Sequence, residues 1–104
     1  MKRDEDGPTP EEIKWALAYN AYDRLAADPR DLERLLSSAR DEFHTSGRVP
    51  EWCGVDLLRG WAFYLVRADY FAGGGTLGEE WQAVLSAVRE HPVARRRDLP
   101  PTSN

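Results

Sequence analysis

The chain repeats one type of helix-start signal, and this repetition constrains its fold more than any other feature. Thr9-Pro10 and Asp28-Pro29 each join a capping side chain to a proline, and an acidic residue follows at the third helical position. The segment 76–79 has the same cap-to-acid spacing without the proline. Capping side chains bind N–H groups that the first helical turn leaves unpaired, and proline is tolerated there. The sequence therefore predicts three independent helix starts.

Apolar residues at helical spacing extend these signals into four predicted helices. The first runs from residue 9 to about 27, the second from 29 to the 45–47 segment, the third from 55 to 72 and the fourth from 79 to Pro92. The most regular stripe is Leu32, Leu35, Leu36, Ala39 and Phe43. A strand over 61–66 is the alternative from β-propensity alone, but the longer pattern favours a helix.

The predicted fold class is all-α, a small four-helix bundle-like domain with disordered charged termini. We expect a charged leader over residues 1–8, one helical domain over 9–92, and a basic, proline-containing, mobile tail over 93–104. A chain of 104 residues with a net charge of -4 has room for one domain.

Composition narrows the function classes. A single cysteine excludes an internal disulfide, the N-terminus has no apolar segment, and no apolar run approaches the ~20 residues of a membrane span. These features predict a cytoplasmic protein with no membrane partner. Twelve Arg against two Lys, with abundant Ala, indicates a GC-rich genome of a bacterium or its phage.

Neither a metal nor a cofactor is expected. The two histidines and the cysteine, His44, Cys53 and His91, are dispersed and form no pair at ligand spacing. The segment Gly73–Gly78 matches the dinucleotide-binding pattern by letter, but a predicted helix precedes it where that motif requires a strand. We therefore interpret it as a flexible connection, and anion binding at the start of the fourth helix stays open.

No catalytic constellation is evident. Arg40 and His44 lie one helical turn apart, an arrangement that can polarise a phosphodiester, but no nucleophile or third orienting group accompanies them. A solvated histidine near a helix C-terminus is the favoured interpretation. A small RNA-cleaving or hydrolytic enzyme that uses this pair is our third functional hypothesis.

Aromatic and Arg residues share the face of the third helix opposite its main core stripe. This aromatic–Arg surface consists of Arg59, Phe63, Val66, Arg67 and Tyr70. Such residues are enriched at interaction hot spots, yet coverage by another helix, above all the first, is an equal alternative. Trp52, in the preceding loop, is a second candidate anchor, and its burial over the end of the bundle is the favoured interpretation.

The leading hypothesis is a non-enzymatic protein-interaction module, such as a phage or bacterial accessory, inhibitor or immunity-type protein. It would bind a protein partner, or itself as a homodimer, through the aromatic–Arg surface. The alternative is a nucleic-acid-binding regulator that uses Arg48, Arg59, Arg67 and Arg95-Arg96-Arg97. The acidic balance of the chain, with a pI near 5.1, argues against that alternative.

Overall fold

The fold is described from a computed structural model, which covers residues 8–19 and 29–101. Within these ranges the chain is helical and contains no strand. Its elements are α1 (Pro10–Leu17), α2 (Pro29–Ser46), α3 (Val55–Phe71), α4 (Glu79–Glu90) and a short 3₁₀-helix (Arg96–Asp98). The prediction of a small all-α bundle is confirmed.

The core surrounds α3, which packs against α1, α2 and α4. Trp61 of α3 and Trp81 of α4 are fully buried at its centre. The predicted stripes supply most of the rest: Leu32, Leu36, Ala39 and Phe43 from α2; Leu57, Leu58 and Leu65 from α3; and Val84, Leu85 and Val88 from α4. Each large apolar side chain contributes roughly 1.5–3 kcal/mol when it leaves water, so this cluster is the main source of stability.

The first helix begins as predicted but ends earlier. Both bonds of its capping box are present, since Glu12 N donates to Thr9 Oγ1 at 3.1 Å and Thr9 N donates to Glu12 Oε1 at 3.0 Å. The helix ends at Leu17 instead of continuing unbroken towards residue 27, and Tyr19 is already outside it. The Tyr19 hydroxyl donates to Asp56 Oδ1 of α3 at 2.9 Å. The remainder of the predicted helix lies outside the described residues.

The predicted cap of α4 is wrong. Thr76 does not cap this helix; Gly78 is the N-cap and makes no side-chain hydrogen bond. The Thr76 amide and hydroxyl instead donate to Asp69 Oδ1 of α3, at 2.7 and 2.6 Å. The physical reason lies in the preceding glycines 73–75, whose φ angles of 90, 90 and 85° turn the chain back towards α3.

The basic segment from residue 93, predicted to be a mobile tail, follows a defined path as far as residue 101. Its 3₁₀-helix is capped by Asp98, which accepts a hydrogen bond from the Arg95 amide at 3.3 Å. Leu99 packs against the core and Pro100 is buried. In the part of the chain that the structure covers, no helix is long and apolar enough to cross a membrane.

Candidate interaction site

The structure divides the aromatic–Arg surface in two. Arg59 and Val66 are buried, Phe63 is half-buried, and Arg67 and Tyr70 are exposed. The N-terminal part of this face is therefore covered, in agreement with the alternative that the first helix lies over it. Helix α1 has 8 residues and is about 12 Å long, whereas α3 has 17 residues and is about 25 Å long. Because of this difference α1 cannot cover all of α3.

Arg59 is part of the fold and not of its surface, with 5% of the residue exposed. Its guanidinium carbon lies 4.2 Å from the ring centroid of Trp15 and 4.5 Å from that of Tyr19. Its nitrogens donate to the Trp15 carbonyl at 2.9 Å and to the Arg97 carbonyl at 3.3 Å. Stacking and hydrogen bonding offset the cost of burying this charge, so Arg59 joins α1, α3 and the C-terminal segment.

An apolar groove lies between α1 and α3. We call it the α1–α3 groove; it is lined by apolar side chains and by the Gly73-Gly74 turn, and its apolar residues include Ile13, Leu17, Phe63, Val66, Tyr70 and Leu77. Its volume is about 700 Å³, within the range of about 300–1,000 Å³ typical of ligand pockets. Leu17, on one wall, is 51% exposed. The groove is large enough to receive several apolar side chains.

Two aromatic rings stand at the rim of this groove. Tyr70 is 78% exposed and Phe71 is 72% exposed, with ring centroids 5.4 Å apart in an edge-to-face arrangement. The Arg67 guanidinium lies 5.4 Å from the centroid of the Phe71 ring. Phe71 was not among the site residues predicted from the sequence. The signal that could have found it is an aromatic pair at the end of a helix, separated from three glycines by Ala72 alone.

Trp52 is separate from the groove and does not plug the end of the bundle. It is 46% exposed in the loop between α2 and α3, and its indole N–H donates to Glu42 Oε2 at 3.0 Å. The structure therefore does not bring Trp52 together with Tyr70 in one site. Trp52 as a second anchor stays a prediction.

Arg40 and His44 meet a third charged residue that sequence reasoning did not select. Arg40 donates to both carboxylate oxygens of Glu80, at 2.6 and 3.0 Å, and Trp61 Nε1 donates to Glu80 Oε2 at 2.7 Å. His44 Nε2 lies 3.4 Å from Glu80 Oε1. Helices α2, α3 and α4 thus share one carboxylate. Sequence alone shows Glu80 only as an acid in the first turn of a helix and does not show which residues face it.

The ionisation of Glu80 depends on these partners. Burial acts to raise the pKa of Glu80, but hydrogen bonds from Arg40 and Trp61, and the charges of Arg40 and His44, outweigh it and lower the pKa overall. The hydrogen bond to Glu80 is also the main reason that the pKa of Arg40 is raised. Glu80 is therefore ionised near neutral pH, and its bidentate contact with Arg40 links α4 to α2.

This cluster gives little support to catalysis. A pocket of about 330 Å³ adjoins it, bordered by Ser37, His44 and Tyr64, but the Arg40 guanidinium is bound to Glu80 and stacks 5.0 Å from the Tyr64 ring centroid.

Burial raises the pKa of Cys53 to about 11, with a smaller contribution from the charge of Glu42, so this thiol is a poor nucleophile. Within 8–19 and 29–101 no cluster of His, Cys, Asp and Glu is suited to a metal ion.

The remaining sequence hypotheses concern anions and nucleic acid. In the Gly73–Gly78 loop the Thr76 amide and hydroxyl donate to the Asp69 carboxylate. These donors therefore already bind a negatively charged group of the protein itself and are not left for an external anion. Of the Arg residues proposed to contact nucleic acid, Arg48, Arg67 and Arg95-Arg96-Arg97 are exposed, while Arg59 is in the core. Nucleic-acid binding stays a prediction without that residue.

Comparison with known proteins assigns no identity. Neither protein-family models, nor curated proteins, nor solved structures gave a match to this chain. Function is accordingly argued from the residues of the α1–α3 groove and its rim.

Proposed function

We propose that the protein is a non-enzymatic interaction module that binds a protein partner through the α1–α3 groove. The observation that carries this proposal is the exposure of Tyr70 and Phe71 at the rim of an apolar recess. Large aromatic side chains bury about 150–250 Å² each, so two rings that are three-quarters exposed present on the order of 300 Å². Patches of this size on a monomer are often functional.

The residue types around the groove support binding and not catalysis. Aromatic and Arg side chains dominate the energetics of many interfaces because they combine apolar area with a polar group. Arg67 supplies the charge: among the residues that the structure describes, no carboxylate pairs with it. A partner would insert apolar side chains between α1 and α3 and present an acidic group to Arg67.

Within this proposal the protein belongs to the accessory, inhibitor or immunity-type proteins of bacteria or phages. Proteins of these kinds act by occupying a surface of another molecule, so they need a compact fold and an exposed binding surface. A short chain with a large tryptophan-centred core and one open apolar groove meets that requirement.

Site-specific photo-crosslinking in cells of the native host tests the proposal. We expect benzoylphenylalanine at position 70 to form a covalent adduct with a protein and the same group at position 93 to form none. Val93 is the matched control because it is an exposed apolar residue that does not line the groove. The adduct should disappear when Phe71→Ser is added. Absence of any protein adduct from position 70 would overturn the proposal.

A further inference from the structure

We infer that the α1–α3 groove binds a second copy of this chain and forms a symmetric dimer. This inference rests on the proposed function and names its partner. First, the groove can complement itself in shape, because the largely exposed Tyr70 and Phe71 rings form a ridge at its rim. A two-fold interface requires a surface that complements itself. A ridge beside a recess meets this condition, because the ridge of each copy can enter the groove of the other.

The second argument is charge. Arg67 and Asp69, of opposite sign, both line the groove. Asp69 uses Oδ1 to hold Thr76, and its other oxygen receives no hydrogen bond from the described residues. A two-fold axis that brings Arg67 of one copy towards Asp69 of the other makes the same attractive contact twice. The groove thus complements itself in charge as well as in shape.

The third argument concerns the chain's own leader. Pro8 lines the groove, so the leader starts beside it. Residues 2–6, however, are Lys, Arg, Asp, Glu and Asp, and burial of such charges in an apolar recess is costly. The leader is therefore a poor occupant, whereas a second copy brings two aromatic rings.

The size of the surface indicates a weak dimer. Stable interfaces bury about 800 Å² on each partner, whereas the two exposed rings present on the order of 300 Å². We expect a monomer–dimer equilibrium with a dissociation constant on the order of 10 µM.

Sedimentation velocity and light scattering of the full chain, from about 1 to 500 µM, test the inference. The mass should rise with concentration from 11.8 kDa towards twice that value. Phe71→Ser should raise the dissociation constant by about tenfold or more, because it removes a central ring. Val93→Ser should leave it unchanged. Arg67→Glu should also weaken the dimer, since it places like charges opposite one another.

The outcomes separate the dimer from the proposed function. A mass of 11.8 kDa at every concentration overturns the dimer, and a heterologous adduct from position 70 then leaves the interaction module standing. A monomer with no adduct overturns both. Thermal unfolding of Phe71→Ser gives a further check: if the wild type is monomeric and the variant melts much lower, the ring packs within its own chain and both proposals are wrong.

Discussion

Glu80 accepts hydrogen bonds from Arg40 of α2 and Trp61 of α3, although it lies in the first turn of α4. Its position near the positive end of the α4 dipole favours the charged form further. The Glu80 side chain is 14% exposed, so water screens the pair with Arg40 only in part. The Glu80 carboxylate therefore connects three helices, and its protonation should lower the stability of the whole fold.

Glu80→Gln should remove the ion pair while preserving the shape of the side chain. We expect a loss of about 2 kcal/mol in the free energy of unfolding at pH 7. Because the folded-state pKa of Glu80 is lowered, its contribution is present above the unfolded pKa and is lost as pH falls through the folded pKa. The difference between wild type and variant should thus shrink below about pH 4.

Urea unfolding at pH 7 and pH 3.5 measures this effect. Glu79→Gln is the matched control, since Glu79 is an exposed acid in the same helical turn. An equal loss of stability for Glu80→Gln at both pH values would show that the charge is not the cause.

Among the elements, α1 depends most on its surroundings. A helix of 8 residues is too short to be stable by itself in water. Its stability comes from α3, where Arg59 lies against the Trp15 and Tyr19 rings and Asp56 accepts the Tyr19 hydroxyl. The N-terminal part of α3 therefore stabilises α1, whereas its C-terminal part lines the groove.

Arg59→Met should release α1 and the C-terminal segment together. The methionine would fill much of the space but would leave the Trp15 and Arg97 carbonyls without their donor, so we expect a loss of about 3 kcal/mol. Amide hydrogen exchange should accelerate in residues 10–19 and 95–99 before it does in α4.

Arg34→Met is the control for Arg59→Met, because Arg34 makes an exposed pair with Asp31 at 3.0 Å. Its effect should stay within about 0.5 kcal/mol. Uniform acceleration of exchange across all helices in Arg59→Met would argue against a local role for Arg59.

At the scale of the whole molecule, the sequence predicts the features that depend on residues close together in the chain. Helices α2, α3 and α4 follow from apolar stripes and from proline and glycine, whose effects act within a few residues. The buried Arg59 and the shared Glu80 could not be predicted in this way. Each is stabilised by groups 19 to 44 positions away in the chain, and no spacing rule encodes such contacts. The groove has the same origin, since it reflects the relative lengths and placement of α1 and α3.

A chain that stops after residue 94 tests how the two ends depend on one another. The truncation removes Arg97 and Asp98, which meet Arg59, and also Leu99, which packs against the core. We expect loss of helix α1 at the opposite end of the sequence, seen as reduced ellipticity at 222 nm and faster exchange in residues 10–17. A chain that stops after residue 101 should behave as the full chain does. Unchanged protection of α1 in the shorter chain would contradict this coupling.

The contacts of Arg59 also affect the order in which the protein folds during its synthesis. The Arg59 side chain reaches back 44 positions to Trp15 and forward 38 positions to Arg97. Within the described residues α1 is synthesised before the other helices, yet the contacts of Arg59 are complete only when residues 97 and 98 have left the exit tunnel. Until then Arg59 can stack on Trp15 and Tyr19 but lacks its contacts with Arg97 and Asp98. The environment of Arg59 is thus completed only after α4 has been synthesised, when the 15–19 and 97–98 segments meet at one arginine.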